Sequence, residues 1–318
     1  SIYMINYEGI IDMDTKISVP DYINIDTDMI DEIVFKLNST EDKKVLTKIY
    51  TDILNDENVL NIFLRITKEQ FFIRHFPEFY IENIYGENAI NCIQNSIYHK
   101  YGVFRHIIAT IEEIGKYSMS IGEEERKILK WTMLLHDIGK PSVKLINEGR
   151  ESFNGHDEKS YEMSINILNR FYFTDEEKHI ILTLIRYHDR FLNEGEITYD
   201  NMKKLAEVLD NKRELFYLLI EVKDADAKSK SIEVYNKYKL TKNKYLDFAN
   251  SYFENIEQNS DTNINVNSIE SNVKTNETKQ KVDDSEYDKI LEDIINKKGI
   301  ITLYQSIIDI EKINILRF

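Results

Sequence analysis

The chain has 318 residues, of which 42% are hydrophobic, enough for one large domain with appendages or for two domains. Its net charge of -15 argues against binding extended nucleic acid through a diffuse basic field, although a nucleotide or short strand could bind a local cluster. The single cysteine, Cys92, excludes an internal disulfide, and no apolar run approaches the ~20 residues of a membrane span. Residues 1–14 do not resemble a signal peptide, so we expect a cytoplasmic protein with no membrane partner.

Helix breakers are scarce, because the chain has only 3 prolines and 10 glycines. This scarcity favours long helices, and we predict an all-α fold. Residues 1–90 are predicted to form an N-terminal helical extension. Its aromatic-rich segment, residues 71–80, should pack against the helices that come after it in the chain.

Residues 91–235 are predicted to fold as consecutive helices and to form the main domain. The first has an apolar face over residues 103–114, and the second begins near residue 120 or 122 with acidic residues that suit its N-terminal dipole. This second helix is apolar nearly all round up to Leu135, so it should be buried. Three later helices are predicted. One begins around His156, the next begins at a capping box formed by Thr174 and Glu177, and the last covers residues 215–226.

Residues 236–318 are predicted to contain a helix, a polar linker and a C-terminal docking segment. Residues 251–286 are almost all Asn, Ser, Thr, Asp, Glu and Lys, which indicates a flexible linker. Residues 287–295 then carry apolar side chains at helical spacing, which predicts a docking helix.

The adjacent pair His136-Asp137 directly follows the buried apolar helix, where charged groups are costly unless they have partners. Gly139 and Pro141 should end the helix there and leave room for a ligand. Further imidazoles and a carboxylate border the buried faces of other helices, at His106, His156, His188 and Asp224. Singly, each histidine would usually be a hydrogen-bonded core residue and the aspartate a cap or a partner to a lysine, but one metal site would satisfy all of them. Ligation by His and carboxylate suits Mn, Fe, Co, Ni or Zn, and Mg is also possible.

Five sequence blocks in order resemble the HD superfamily of metal-dependent phosphohydrolases, over roughly residues 70–230. The local text is closer still to the HD domain of bacterial CCA-adding tRNA nucleotidyltransferases. The blocks are YHKYGVFRH at 98–106, WTMLLHDIGKP at 131–141, FNGHD at 153–157, IRYHD at 185–189 and KDADA at 223–227. The resemblance implies an HD-domain helical bundle, here with the N-terminal helical extension and a flexible linker to a C-terminal helix.

The resemblance also implies one or two divalent metal ions, and the presence of both His156 and His188 favours two. Asp137 would bridge the ions and, with Lys140, would be catalytic. We expect one ion to be held by His106, His136, Asp137 and Asp224, and the other by Asp137, His156 and His188.

The lysine at 140 has two interpretations: it could stabilise charge on phosphoryl oxygens, or it could be a plain surface lysine near a helix C-terminus. His99, Arg105 and Arg186 are weaker candidates for substrate contacts. For both arginines a surface position is the favoured alternative, because each lies off the predicted inward face.

The sequence departs from the family at two places. CCA-adding enzymes carry a nucleotidyltransferase domain with a glycine-rich turn and paired aspartates ahead of this region. Asp12 and Asp14 have the paired spacing without the glycine-rich turn, so we interpret them as a solvated acidic turn and expect nucleotide-adding activity to be absent. Ile107 stands where family members often have Ser or Thr, which would remove a hydrogen bond behind the ligands.

The predicted function is hydrolysis of nucleotide or RNA-end phosphate esters, as a phosphomonoesterase or cyclic phosphodiesterase. Expected partners are therefore a nucleotide or a short RNA end, without extended nucleic acid; the sequence makes no prediction of oligomeric state. Two alternatives stay open. One is a nucleotide- or signal-binding module without turnover, and the other is a metal-dependent single-strand nuclease, which the negative charge disfavours.

Overall fold

A computed structural model of the protein describes residues 27–95, 99–114, 121–191 and 194–269. The chain divides into two units, residues 1–256 and residues 257–318. The first unit contains nearly all of the described residues, and of the second only the helical residues up to Ile269 are described. The predicted acidic turn at Asp12 and Asp14 and the predicted docking helix at residues 287–295 lie outside the described residues.

The N-terminal part is helical, as predicted. It consists of α1 (Thr27–Ser39), α2 (Lys43–Asn55), α3 (Val59–Ile66), α4 (Gln70–His75) and a short 3-10 helix (Pro77–Tyr80). Helix α2 begins at residue Lys43 because the Asp42 side chain accepts hydrogen bonds from the backbone N–H groups of Lys44 and Val45.

The middle part confirms the all-α fold, since among the described residues strands are confined to one short hairpin. Its elements are α5 (Val103–Glu113), α6 (Glu123–Leu135), α7 (Lys140–Val143), β1 (Leu145–Asn147), β2 (Arg150–Ser152), α8 (His156–Arg170), α9 (Asp175–Tyr187), a 3-10 turn (Glu194–Glu196), α10 (Tyr199–Val208), α11 (Arg213–Ser229) and α12 (Ile232–Ile269). The antiparallel hairpin pairs Leu145 with Ser152 and Asn147 with Arg150.

The predicted start of α9 is confirmed. The Thr174 hydroxyl accepts from the N–H of Glu177 at 3.1 Å, and the Glu177 carboxylate accepts from the N–H of Thr174 at 2.7 Å. This reciprocal capping fixes the end of α9 opposite to the one that carries His188.

The aromatic segment over residues 71–80 packs against the middle helices, as expected. Phe76 is fully buried and its ring lies 6.4 Å from Trp131 of α6 and 5.1 Å from Phe171. Trp131 also donates its indole N–H to the Thr51 hydroxyl of α2 at 2.9 Å. One hydrophobic core therefore continues across residue 90, while the domain boundaries near 90 and 235 stay predictions.

Helix α12 continues to Ile269 and so includes the first part of the polar segment, residues 251–286, for which we predicted a flexible linker. The predicted linker therefore does not begin at residue 251. Asn and Ser do not prevent a helix from continuing, because their low propensity costs only a few tenths of a kcal/mol per residue, and Glu is a good helix former. None of the helices in the described part of the chain is long and apolar enough to cross a membrane.

Candidate metal centre

Five helices place histidine or aspartate side chains, at or near one of their ends, around the same buried point. His136 follows α6, His188 follows α9 and His156 opens α8, so three imidazoles lie at helix ends. His106 lies in the first turns of α5, and the last turn of α11 supplies a carboxylate, that of Asp226. A cluster at helix ends has the space that a ligand needs, which side chains within a packed helix face lack.

Each of the four imidazoles donates its Nδ1 proton to a nearby oxygen. The acceptors are the carbonyl of Met133 for His136, that of Phe153 for His156, that of Ile185 for His188, and the Ser229 hydroxyl for His106, at distances of 2.6–3.0 Å. The Ser229 hydroxyl itself donates to the Asp226 carbonyl, so it accepts from His106. With Nδ1 protonated, the neutral form of each imidazole carries on Nε2 the lone pair that a metal ion requires.

One group of ligand atoms surrounds the Oδ2 atom of Asp137. The Nε2 atoms of His106 and His136 lie 3.2 and 3.3 Å from it. Asp226 completes the group, because its Oδ1 atom is 3.0 Å from His106 Nε2 and 3.9 Å from His136 Nε2. All of these side chains are buried.

A second group surrounds the other oxygen of the same carboxylate. Asp137 Oδ1 is 3.3 Å from His156 Nε2 and 3.7 Å from His188 Nε2. The two Nε2 atoms are 3.2 Å apart. Asp137 therefore offers one oxygen to each group, as a bridging ligand would.

The chemistry of this donor set fits divalent metal ions. The Nε2 atoms of His106 and His136 and the Oδ1 atom of Asp137 are buried and have no hydrogen-bond partner among the described residues, while Asp137 Oδ2 has the Lys140 ammonium at 2.7 Å. Lone pairs that face one another at about 3 Å repel unless a cation lies between them. Ligand atoms bonded to one ion at about 2.0–2.2 Å are separated from each other by about 3.0–3.5 Å, which matches most of the distances within the two groups.

The electrostatics favour the metal-binding forms of most of these groups. Burial lowers the pKa of His136, and it lowers that of His156 to about 4, so both are neutral at pH 7. Burial opposes ionisation of Asp137, but His136 and Lys140 outweigh it and hold its pKa well below the usual range. His188 differs, because the Asp137 carboxylate, 3.7 Å from its Nε2 atom, outweighs burial and raises its pKa. Metal binding there would displace a proton.

Two lysines flank the acidic ligands. The ammonium of Lys140 lies 2.7 Å from Asp137 Oδ2 and donates to Gln94 at 2.9 Å, and that of Lys230 lies 2.7 Å from Asp226 Oδ2. Lys140 is buried, so the alternative of a plain surface lysine does not describe its position.

The structure places Asp224, which we predicted as a ligand, away from the cluster. Its carboxylate pairs with Lys228 at 2.7 Å and with Lys242 at 3.1 Å. The prediction relied on the apolar period of Tyr217 and Ile220, but α11 is buried on nearly all sides, so this period does not identify the face towards the site. Asp226, two residues and about 200° further round the helix, occupies that face instead.

Sequence reasoning also missed the supporting residues of α11. We expected Ile107 to remove a hydrogen bond behind the ligands, yet the Nδ1 atom of His106 has Ser229 as its partner. Ile107 itself is buried in the core. The one signal in the sequence was spacing, because Asp226 and Ser229 are three residues apart and so lie on the same face of a helix.

A cavity of about 550 Å³ opens beside the cluster, and His156 and Asp226 form part of its wall. Its lining includes His99, Phe153 and the four lysines 140, 223, 230 and 237, together with Asp157, Asp189 and Glu233. Burial lowers the pKa of His99 to about 2, so this residue faces the cavity as a neutral imidazole.

The two candidate arginines do not line this cavity. Arg186 makes two hydrogen bonds of 2.8 Å to Glu158, and Arg105 donates to Glu112 at 3.1 Å. Both guanidinium groups also lie over tyrosine rings, those of Tyr161 and Tyr101. Both guanidinium groups therefore bind neighbouring carboxylates, in agreement with the surface interpretation.

Residues 103–229 match the family model described as the HD domain, and this range contains all the clustered ligands. The chain therefore contains an HD domain, which implies the superfamily of metal-dependent hydrolases and the binding of divalent metal ions.

A known protein similar to this chain is the A-adding tRNA nucleotidyltransferase of Deinococcus radiodurans. It is 28% identical over 93 residues, which are 29% of this chain and 20% of that protein. The similar region of this chain is thus about as long as its HD domain, and it corresponds to about a fifth of the relative's length.

Proposed function

We propose that this HD domain hydrolyses phosphate esters of nucleotides or RNA ends, either monoesters or 2′,3′-cyclic phosphodiesters. The observation that carries the proposal is the cluster of acceptor atoms on Asp137, four imidazoles and Asp226, at the wall of a cavity with lysines. An acceptor cluster attracts metal ions, and lysines beside it attract the phosphate of a substrate.

Two divalent ions are proposed, since Asp137 presents one oxygen to each group of ligands. His106, His136, Asp137 and Asp226 would hold one ion, and Asp137, His156 and His188 the other. When bound, such ions supply positive charge to phosphoryl oxygens and lower the pKa of a coordinated water. Imidazole and carboxylate ligands favour Mn, Fe, Co, Ni or Zn.

The residues of the chain itself would bind and orient the phosphate. Lys140 is held at the cavity by Gln94, so its ammonium is available to phosphoryl oxygens without a large rearrangement. Lys230 would act from the α11 side in the same way. His99 would contact the substrate as a neutral hydrogen-bonding group, because burial disfavours its charged form.

The size of the cavity supports a small substrate. About 550 Å³ lies within the range of small-molecule pockets, roughly 300–1,000 Å³, and accommodates a nucleotide or the last nucleotide of a strand. The similarity to part of a tRNA nucleotidyltransferase supports RNA ends as one substrate class.

The test combines metal analysis with an activity panel of an aryl phosphate, nucleoside monophosphates and 2′,3′-cyclic nucleotides. The wild-type protein should hold transition metal and hydrolyse at least one of them. Asp137→Ala should lower that activity by at least about 100-fold while helicity is retained, because both ligand groups lose their shared carboxylate. The exposed Asp52→Ala serves as the control that keeps full activity.

Metal-loaded wild-type protein that is inert with every compound would contradict the proposal and favour a binding module without turnover. Cleavage of single-stranded DNA or RNA within the strand, with Mn or Ni added, would favour the nuclease.

A further inference from the structure

Lys223 is a buried lysine of α11 to which no part of the proposed chemistry assigns a role. Its side chain is 2% exposed, and its ammonium donates to the carbonyl oxygen of His188 at 2.8 Å and to that of Arg190. These carbonyls lie just beyond α9, where backbone acceptors have no partner within the helix. A cation there also stabilises the negative end of the helix dipole.

A second side chain, that of Tyr245, also binds the backbone just beyond α9. The Tyr245 hydroxyl lies 3.1 Å from the carbonyl oxygen of Arg190 and 2.9 Å from that of Phe191. The His188 carbonyl is different, because Lys223 is the side chain that donates to it. Lys223 therefore contacts the backbone of the ligand residue itself.

Lys223 also lies one helical turn before Asp226, on the same face of α11. One helix thus supplies the Asp226 ligand of the first group and, through Lys223, holds the backbone of a ligand of the second group. The imidazole of His188 cannot move independently of this backbone, because its Nδ1 proton is given to Ile185 of the same helix.

We propose that Lys223 is a positioning residue for the second metal ion: it ties the His188 end of α9 to α11 and so keeps His188 Nε2 beside Asp137. This inference rests on the proposed function, since it requires His156, His188 and Asp137 to hold an ion. It adds a residue that lines the cavity but whose ammonium is bound by backbone carbonyls behind His188.

The chain offers a closely matched control in Lys130. This lysine is also buried, its pKa is also lowered by burial to about 8, and it also donates to a carbonyl in the last turn of a helix, that of Leu54 at 2.6 Å. It lies on the side of α6 that faces the N-terminal helices. Loss of either lysine should destabilise the fold in a similar way, but only loss of Lys223 should affect His188.

The experiment compares wild type, Lys223→Met and Lys130→Met in the full chain, loaded with Co(II). Metal content and the visible absorption of Co(II), followed through a titration, report the number of ions and the ligands of each. Wild type and Lys130→Met should bind two equivalents. Lys223→Met should bind the first normally and the second about 10–100-fold more weakly, the usual effect of losing a residue that supports a ligand.

Thermal unfolding with a chelator present should show similar losses of stability for both variants. If Lys223→Met does not fold, Lys223→Gln replaces it, since glutamine stays polar but is too short to reach both carbonyls, and the same loss is expected. Unchanged binding of the second ion in the Lys223 variant, or an equal loss in Lys130→Met, overturns the inference and leaves the proposed function standing. Wild type that binds fewer than two ions overturns the inference together with the two-ion proposal.

Discussion

The orientation of individual side chains decides what the cluster can bind. His136, His156 and His188 use their Nδ1 protons for hydrogen bonds within or near their own helices, and His106 uses its Nδ1 proton for Ser229 of α11. In each case the Nε2 atom is turned towards Asp137. Without those local acceptors either nitrogen could face the carboxylate, and a protonated one would form an ordinary buried hydrogen bond. The choice of nitrogen thus distinguishes a metal site from a structural network.

The two aspartates of α11 test this assignment as a matched pair. Both are buried and each has a lysine four residues later, but only Asp226 lies beside His106. Asp226→Asn should weaken metal binding by at least about 100-fold, because a neutral amide replaces a charged ligand. Asp224→Asn should keep wild-type metal binding and lose some stability, because Lys228 and Lys242 lose their shared partner.

Metal titrations of Asp226→Asn and Asp224→Asn measure the metal affinity of each variant. Equal metal affinities for the two, or a stronger effect at Asp224, would restore our sequence prediction and contradict the placement of Asp226.

A pH effect on stability is expected at His75, far from the ligands. Its Nδ1 atom lies 2.9 Å from the Tyr50 hydroxyl, and burial, with Arg74 and Arg170 nearby, lowers the pKa of His75 from 6.5 to about 4. The unfolded chain therefore takes up a proton here below pH 6.5 that the folded chain refuses until about pH 4. Stability is fully present above pH 6.5 and is lost as the pH falls towards 4.

Denaturant unfolding at pH 7.5 and 5.0, with a chelator present, measures this. Wild type should be less stable at pH 5.0, and His75→Gln should show a smaller difference. The difference should not vanish, because His156 and His99 also have lowered pKa values. An identical pH dependence in the two proteins would rule out His75 as a contributor.

At the scale of elements, the close approach of the α6–α7 connection to α8 brings Asp137 near His156. Gly139 lies at the contact, and its N–H donates to the Ser160 hydroxyl at 3.0 Å. A Cβ atom there would come within 2.5 Å of the Ser160 backbone nitrogen and 2.8 Å of the His156 carbonyl oxygen. Only glycine permits this helix spacing, so its role is close packing rather than the helix stop that we expected from the sequence.

Gly139→Ala should therefore move α8 and disturb the second ligand group more than the first. We expect a loss of about 1–3 kcal/mol in the free energy of unfolding, typical of overpacking, together with weaker binding of the second ion. Gly195→Ala is the control, since a Cβ atom at Gly195 meets nothing within 4 Å and should leave both properties unchanged. Calorimetry and metal analysis measure the two effects. Full metal binding by Gly139→Ala would show that the helix spacing is not critical.

At the scale of the whole molecule, metal binding should stabilise the fold. The ligands come from five helices, so the unfolded chain has no comparable site, and binding shifts the equilibrium towards the folded state. Free metal at 100 times its dissociation constant should add about 2.7 kcal/mol to the free energy of unfolding. Melting temperatures with Mn(II), with chelator, and for Asp137→Ala measure it. An unchanged melting temperature of the wild type on metal addition would contradict a site shared among these helices.

The sequence by itself determined the helical fold and most of the site. Scarce glycine and proline, helical periods and the Thr174 capping box are local signals, and each describes a helix that the structure contains. His136-Asp137 and the other histidines were identifiable because five sequence blocks occur in order and because polar groups on buried faces need partners.

Only the tertiary structure decided which aspartate of α11 belongs to the cluster, which lysines lie beside it and why Gly139 is needed. These depend on how helices distant in sequence approach one another, and a helix buried on all sides gives no periodic signal for one face. In the sequence alone, Asp224 and Asp226 are nearly equivalent, because both are aspartates of the same short block at residues 223–227. The packing of α11 against α5 makes them different, because it places Asp226 at 3.0 Å from His106 and leaves Asp224 to two lysines.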